Sequence, residues 1–214
     1  MKLFTSVLLS ALVSLSTSNA LAMVEVKLEL GALVAKADSF AEAIRTNVAN
    51  NPNFSAVGNA GVDAVYISDQ AIVTGVRAEA FAASQEGTVT YQSAAATTKN
   101  QLSGTRVSVV AGYRFTQSPK FHLGVLGHYA VNSSMDYEQK IDATSYKYTG
   151  KVDPSYGGGI DLGVHFGRFM MGSEIGYTLL KAKFTGTAGP LNGLGEQTAD
   201  LSGGYFKFTI GAGF

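Results

Sequence analysis

From residue 24 onward, apolar side chains fall at every second position. Val24, Val26, Leu28 and Leu30 alternate with Glu25, Lys27 and Glu29. That two-residue period belongs to a strand with one oily face and one polar face. It recurs over 61–67, 71–81, 105–115, 121–131, 156–166, 169–180 and 205–214, which predicts eight strands. In the last of them Phe206, Phe208, Ile210, Ala212 and Phe214 share one parity, and Tyr205, Lys207, Thr209, Gly211 and Gly213 share the other.

Between these stretches, short and long connections alternate. Residues 68–70, 116–120 and 167–168 make short turns, whereas 36–60, 84–103, 132–153 and 185–199 are long and polar. All short turns therefore fall at one end of the strands and four long loops at the other. Inside the first long connection, Ser39 and Glu42 have capping-box spacing, and Phe40, Ile44 and Val48 recur every four residues. This predicts a short amphipathic helix at about 39–48, either a lid over the strands or an exposed contact surface.

The aromatic residues add a second regularity. Phe115, Phe121, Phe166, Phe169 and Phe214 have apolar-face parity and sit at the short-turn end of their strands. Tyr129, Tyr177 and Phe206 have the same parity, eight residues further along. At about 3.3 Å per residue and a tilt of roughly 40°, eight residues climb about 20 Å. Two rings of aromatics at that spacing match the girdles flanking the apolar band of a membrane barrel.

Ahead of the strands, Lys2, an apolar core over 8–15 and Ala20-Leu21-Ala22 read as a secretory signal peptide of residues 1–22, leaving a barrel domain of 23–214. The apolar part is too short for a spanning helix, and no later stretch is apolar enough, so any membrane span must be β. Lysine plus arginine equals aspartate plus glutamate at 16 each, which gives no footprint for nucleic acid. The absence of cysteine excludes disulfides, thiolate metal sites and a lipoprotein anchor.

The polar face, read as a lumen, carries most of the chemistry. Glu29, Asp161 and Glu174 fall at similar heights, with Arg77 and Lys207 as partners in an expected charge network. Buried charges need such partners. His122 and His165 point inward near the short-turn end, but without a third ligand nearby they read as polar fillers. No metal, cofactor or catalytic residue is expected, because no nucleophile–histidine–acid motif or phosphate loop appears.

The signal peptide, the Ala111-Gly112-Tyr113-Arg114-Phe115 strand before a short turn, and the 206–214 segment resemble the small eight-stranded outer-membrane barrels. These are the OmpA transmembrane domain, OmpX and the opacity-type surface proteins. The resemblance covers the whole of 23–214 and lies in architecture. It implies an all-β, eight-stranded antiparallel up-and-down transmembrane barrel with short periplasmic turns and four long extracellular loops, set in lipid and lipopolysaccharide. It also implies that the outer-membrane barrel assembly machinery reads Phe206, Phe208, Ile210, Ala212 and Phe214. The periplasmic peptidoglycan-binding domain of full-length OmpA-type proteins is not expected. Members include adhesins, serum-resistance factors, structural anchors and narrow pores, and other outer-membrane barrels are enzymes, so fold alone does not select a function. The expected role is a non-enzymatic surface protein in the outer membrane that contacts a host or surface ligand through its loops, with a plugged lumen. The alternatives are a narrow porin and a soluble lipocalin-like barrel with the two faces exchanged.

Overall fold

The computed structural model describes residues 23–35, 54, 56–91, 94–117 and 120–214. The signal peptide and the helix expected at 39–48 lie outside the described residues. The strands are β1 (Met23–Ala35), β2 (Ala56–Ile67), β3 (Ile72–Tyr91), β4 (Ala94–Gln117), β5 (Phe121–Ile141), β6 (Thr144–Val152), β7 (Tyr156–Phe166), β8 (Phe169–Leu179), β9 (Lys181–Phe184), β10 (Gln197–Asp200) and β11 (Gly203–Gly213). Eight of them form a closed antiparallel ring in the order β1–β2–β3–β4–β5–β7–β8–β11. β11 closes on β1 through an unbroken register from Glu25 opposite Gly213 to Ala35 opposite Gly203. Closure leaves the ring no free edge to pair with another chain. The tightest turn joins β7 to β8, where Gly167 takes a φ of 66°. That left-handed value costs glycine little.

Two of the four stretches expected as loops, 84–103 and 132–153, are largely strand, and a short strand pair brackets a third. β3 and β4 continue as one hairpin until Tyr91 faces Ala94. β5 runs on to Ile141 and folds back into β6. β9 and β10 pair across the last connection, and β9 touches β6. Two local causes hide this from a period count. On β4 the outward residues change from Val107, Val109 and Ala111 to Lys99, Gln101, Ser103 and Thr105, so the oily face ends while the backbone ladder continues. On β5 a bulge sets Ala130 opposite Ser108 but Asn132 opposite Val107, leaving Val131 as an extra residue. Inward positions therefore switch from His122, Leu126, His128 and Ala130 to Met135, Tyr137, Gln139 and Ile141.

Polarity is inverted relative to a soluble core. Leu28, Leu30, Val109, Ile160, Ile175 and Ile210 face outward and exposed, whereas Glu25, Lys27, Glu29, Arg77 and Lys207 are among the most buried side chains. Two apolar clusters lie along the axis on either side of Arg77. Towards the long-hairpin end lies a cluster containing Leu33, Phe54, Phe81, Leu102, Tyr137, Phe184 and Leu201. Towards the short-turn end lie Val65, Ile67, Val73, Val110 and Leu126, with Met23 against them.

Candidate functional site

Arg77 stands at the centre of the lumen because β3 is an interior-facing alternator with Gly75, Arg77 and Glu79 on one side. Its guanidinium forks onto Asp63 through Nε and Nη2, both at 2.7 Å. It forks again onto Glu174 across the barrel, at 3.2 and 2.6 Å. Glu29 approaches the same Nη2 at 3.1 Å. One cation is thus held by three carboxylates from β1, β2 and β8. Paired N–H donors matched to carboxylate oxygens fix geometry as well as charge.

A second knot surrounds Glu79. Lys207 donates to it at 2.6 Å and to Glu29 at 3.2 Å. Arg106 donates to it at 2.9 and 2.7 Å and also reaches Ser155 and Thr178. The Tyr205 hydroxyl donates to Glu174 at 2.5 Å, tying β11 to the first knot. Room for that hydroxyl comes from Gly159 and Gly176, where a Cβ would stand 2.8 and 2.6 Å away. Nearer the short-turn end, Arg114 pairs with Glu25 at 2.8 and 2.5 Å.

Asp161 departs from the expected grouping. It lies opposite Glu174 on β7–β8, a like-charge pair that would repel if left alone. The two carboxylates take different cations. Glu174 goes to Arg77, while Asp161 has Lys27 at 3.8 Å, Arg114 at 3.9 Å and His122 at 3.0 Å. Glu29, Arg77, Glu174 and Lys207 meet in one place, and Asp161 joins them only through Lys27, which also approaches Asp63 at 4.0 Å. Asp63, Glu79, Arg106 and Tyr205 complete the arrangement. Asp63 was hidden because Val62, Ala64, Val65 and Ile67 make both faces of β2 apolar. Counting residues back across the 68–71 turn would have set it opposite Arg77, which is where the register puts it.

Outside the barrel, Phe115, Phe121, Phe166, Phe169 and Phe214 are exposed near the short-turn end, and Tyr129, Tyr177 and Phe206 are exposed further up. Phe166 faces Phe169 across the turn. Tyr156, absent from the sequence expectation, is exposed directly opposite Tyr129. Phe206 faces Ile175 while Tyr177 faces Gly204, so Phe206 sits two residues lower on the ladder than Tyr177. Beyond the apolar belt, the long hairpins enclose Tyr137, which stacks on Tyr148 at 5.8 Å and donates to Asn100 at 2.7 Å. Burial and the neighbouring Tyr148 push the Tyr137 phenol well above its usual value, so it stays a neutral donor.

A broad exposed apolar belt around a ring of interlocked charges is the reverse of a water-soluble protein. With backbone ladders closing the strands into a ring, this is an eight-stranded antiparallel transmembrane β-barrel. Among solved structures, the chain is similar in outline to Ail, the attachment invasion locus protein of Yersinia pestis, crystallised with the heparin analogue sucrose octasulfate. Identity there is 13%, with 90% of this chain and 99% of that chain covered at a TM-score of 0.46. OprG, an outer membrane protein of Pseudomonas aeruginosa, shares 10% identity over 91% of this chain and 97% of its own, at a TM-score of 0.48. Neisserial surface protein A shares 10% over 89% and 96%, at 0.39. No family model and no curated protein matches the chain. Likenesses this loose describe an outline, and the site rests on its own geometry.

Proposed function

We propose that the protein is a non-enzymatic barrel of the bacterial outer membrane whose lumen is plugged and whose working surface is the set of long hairpins beyond the belt. The observation that carries this reading is the network spanning the lumen. Its buried charges reach across the barrel from β3 to β8 and β11, and from β4 to β1, below the apolar cluster at the long-hairpin end. An open conduit needs mobile, hydrated groups along its axis, and these groups have exchanged water for one another. In this reading the aromatics at the two heights anchor the barrel in lipid and lipopolysaccharide. The outward residues Phe206, Phe208, Ile210, Ala212 and Phe214 serve as the signal for the assembly machinery. The projecting hairpins offer polar, structured surface for a host or surface ligand.

Planar-bilayer recordings test the plug. Refolded protein, shown to be folded by its heat-modifiable migration, is expected to give silent bilayers. Glu174→Ala, which frees one arm of Arg77, is expected to introduce steps or noise. Reproducible unitary steps from the unmodified protein, shifted by Glu174→Ala, would overturn the plug and make the charges a selectivity device.

A further inference from the structure

The short-turn mouth of the barrel holds two histidines that the central network does not use, beside the outermost carboxylate of the lumen. His122, on β5, and His165, on β7, approach through Nδ1 and Nε2 at 2.7 Å. The Glu25 carboxylate, from β1 on the far side of the ring, brings an oxygen within 4.8 Å of both. The sequence left the two histidines without a third ligand, and barrel closure supplies it.

We propose that Glu25, His122 and His165 form a binding site for a divalent cation of borderline softness, with zinc(II) the best fit. Two imidazole nitrogens and one carboxylate, with a fourth position open to water, are a donor set that zinc takes readily. The surroundings are arranged for the task. Asp161 accepts from His122 Nε2 at 3.0 Å. That bond holds the proton on Nε2 and turns the Nδ1 lone pair towards His165, the carboxylate–histidine relay that orients metal-ligating imidazoles. Space for the ring is provided by Gly163, directly opposite His122, where a Cβ would lie 2.2 Å from the ring. His165 is half-buried beside the terminal turn, so an ion can enter from the mouth without crossing the central network.

The surrounding lumen is mixed in charge, with six buried carboxylates (Glu25, Glu29, Asp63, Glu79, Asp161 and Glu174) against five buried cations (Lys27, Arg77, Arg106, Arg114 and Lys207), so the proposal rests on donor geometry and not on net charge. Arg114 occupies part of Glu25, but a carboxylate has lone pairs for both an arginine fork and a metal. Two nitrogens on a tetrahedral zinc stand about 3.3 Å apart, so the imidazoles separate by roughly half an ångström on binding. The ion would clip β1, β5 and β7 together across the mouth.

The test is titration of tag-free, detergent-refolded protein with zinc(II), followed by calorimetry and by thermal unfolding with and without the ion. One zinc per barrel and a raised unfolding temperature are expected. His165→Ala, at the solvent-facing end of the cluster, should weaken binding at least tenfold and abolish the shift. His128→Ala, higher in the lumen, should leave both unchanged. Glu25→Gln also strips Arg114 of its partner, so it serves only where the variant folds. Cobalt(II) added to the unmodified protein needs no substitution and should give the intense visible bands of a four-coordinate site. Absence of zinc binding, binding undiminished in His165→Ala, or a cobalt spectrum of the hydrated ion would each overturn the proposal.

Discussion

Arg77 concentrates the energetics of the lumen in one residue. Four of its N–H groups donate to Asp63 and Glu174, Glu29 pairs with the same guanidinium, and the side chain is essentially inaccessible to water. Removing one partner of a buried pair strands the others, a loss of about 3–5 kcal/mol. Arg77→Ala is therefore expected to lower the urea midpoint for loss of the compact gel species by that equivalent. Lys147→Ala, which breaks only the exposed 3.5 Å pair with Glu138, should cost less than about 1 kcal/mol. Equal effects from the two would mean that the network contributes nothing special to stability. Legibility at this scale was uneven. Glu29, Arg77, Glu174 and Lys207 stood out because each is a charge on a strand face whose opposite is apolar. Asp63 did not, because its strand is apolar on both sides, and only the register across its turn reveals it.

At the level of elements, the sequence marks where the membrane ends more clearly than where a strand ends. The period-two signal needs a contrast between faces. Above the belt on β3 and β4 that contrast fades, because Ser84, Glu86, Lys99 and Gln101 face out while Gln85 and Asn100 face in. On β5 the signal inverts at Val131, where the bulge moves every later residue to the other face. β7, whose bounds match the expectation, and β8, which ends one residue early, are joined by two residues. This separation predicts that the upper hairpin is dispensable for folding. Replacing residues 86–99 by a two-residue turn removes the paired tip, including the exposed Lys99–Glu86 contact. It spares Asn100, Leu102 and Phe81, so the shortened protein should still assemble and show heat-modifiable migration. Failure to assemble would show that the hairpin belongs to the barrel's folding unit.

For the whole molecule, the placement of charge by height is the property that separates a lipid-spanning barrel from the soluble barrel that shares its alternation. Both faces of every ring strand alternate in either case, so periodicity alone leaves the choice open. What decides it is that the charged face closes inward around its own partners while Leu28, Leu30, Ile160, Ile175 and Ile210 remain exposed. A lipid solvent makes a graded prediction that water does not. A lysine at the bilayer midplane of a barrel's outer face costs about 2–4 kcal/mol, falling to about 0–1 near the interfaces. Leu28→Lys, midway up the outward face of β1, should therefore destabilise the protein in lipid vesicles by an amount near the upper figure. Ser103→Lys, on the outward face of β4 above the last apolar residue, should be close to neutral. The measurement is urea unfolding of each variant reconstituted in phosphatidylcholine vesicles, read by the tyrosine environment and by gel migration. A cost that peaks at Leu28 and vanishes by Ser103 fixes the belt against the bilayer. Equal, small costs at both positions would mean that water faces the belt, and the assignment to a membrane would fall with it.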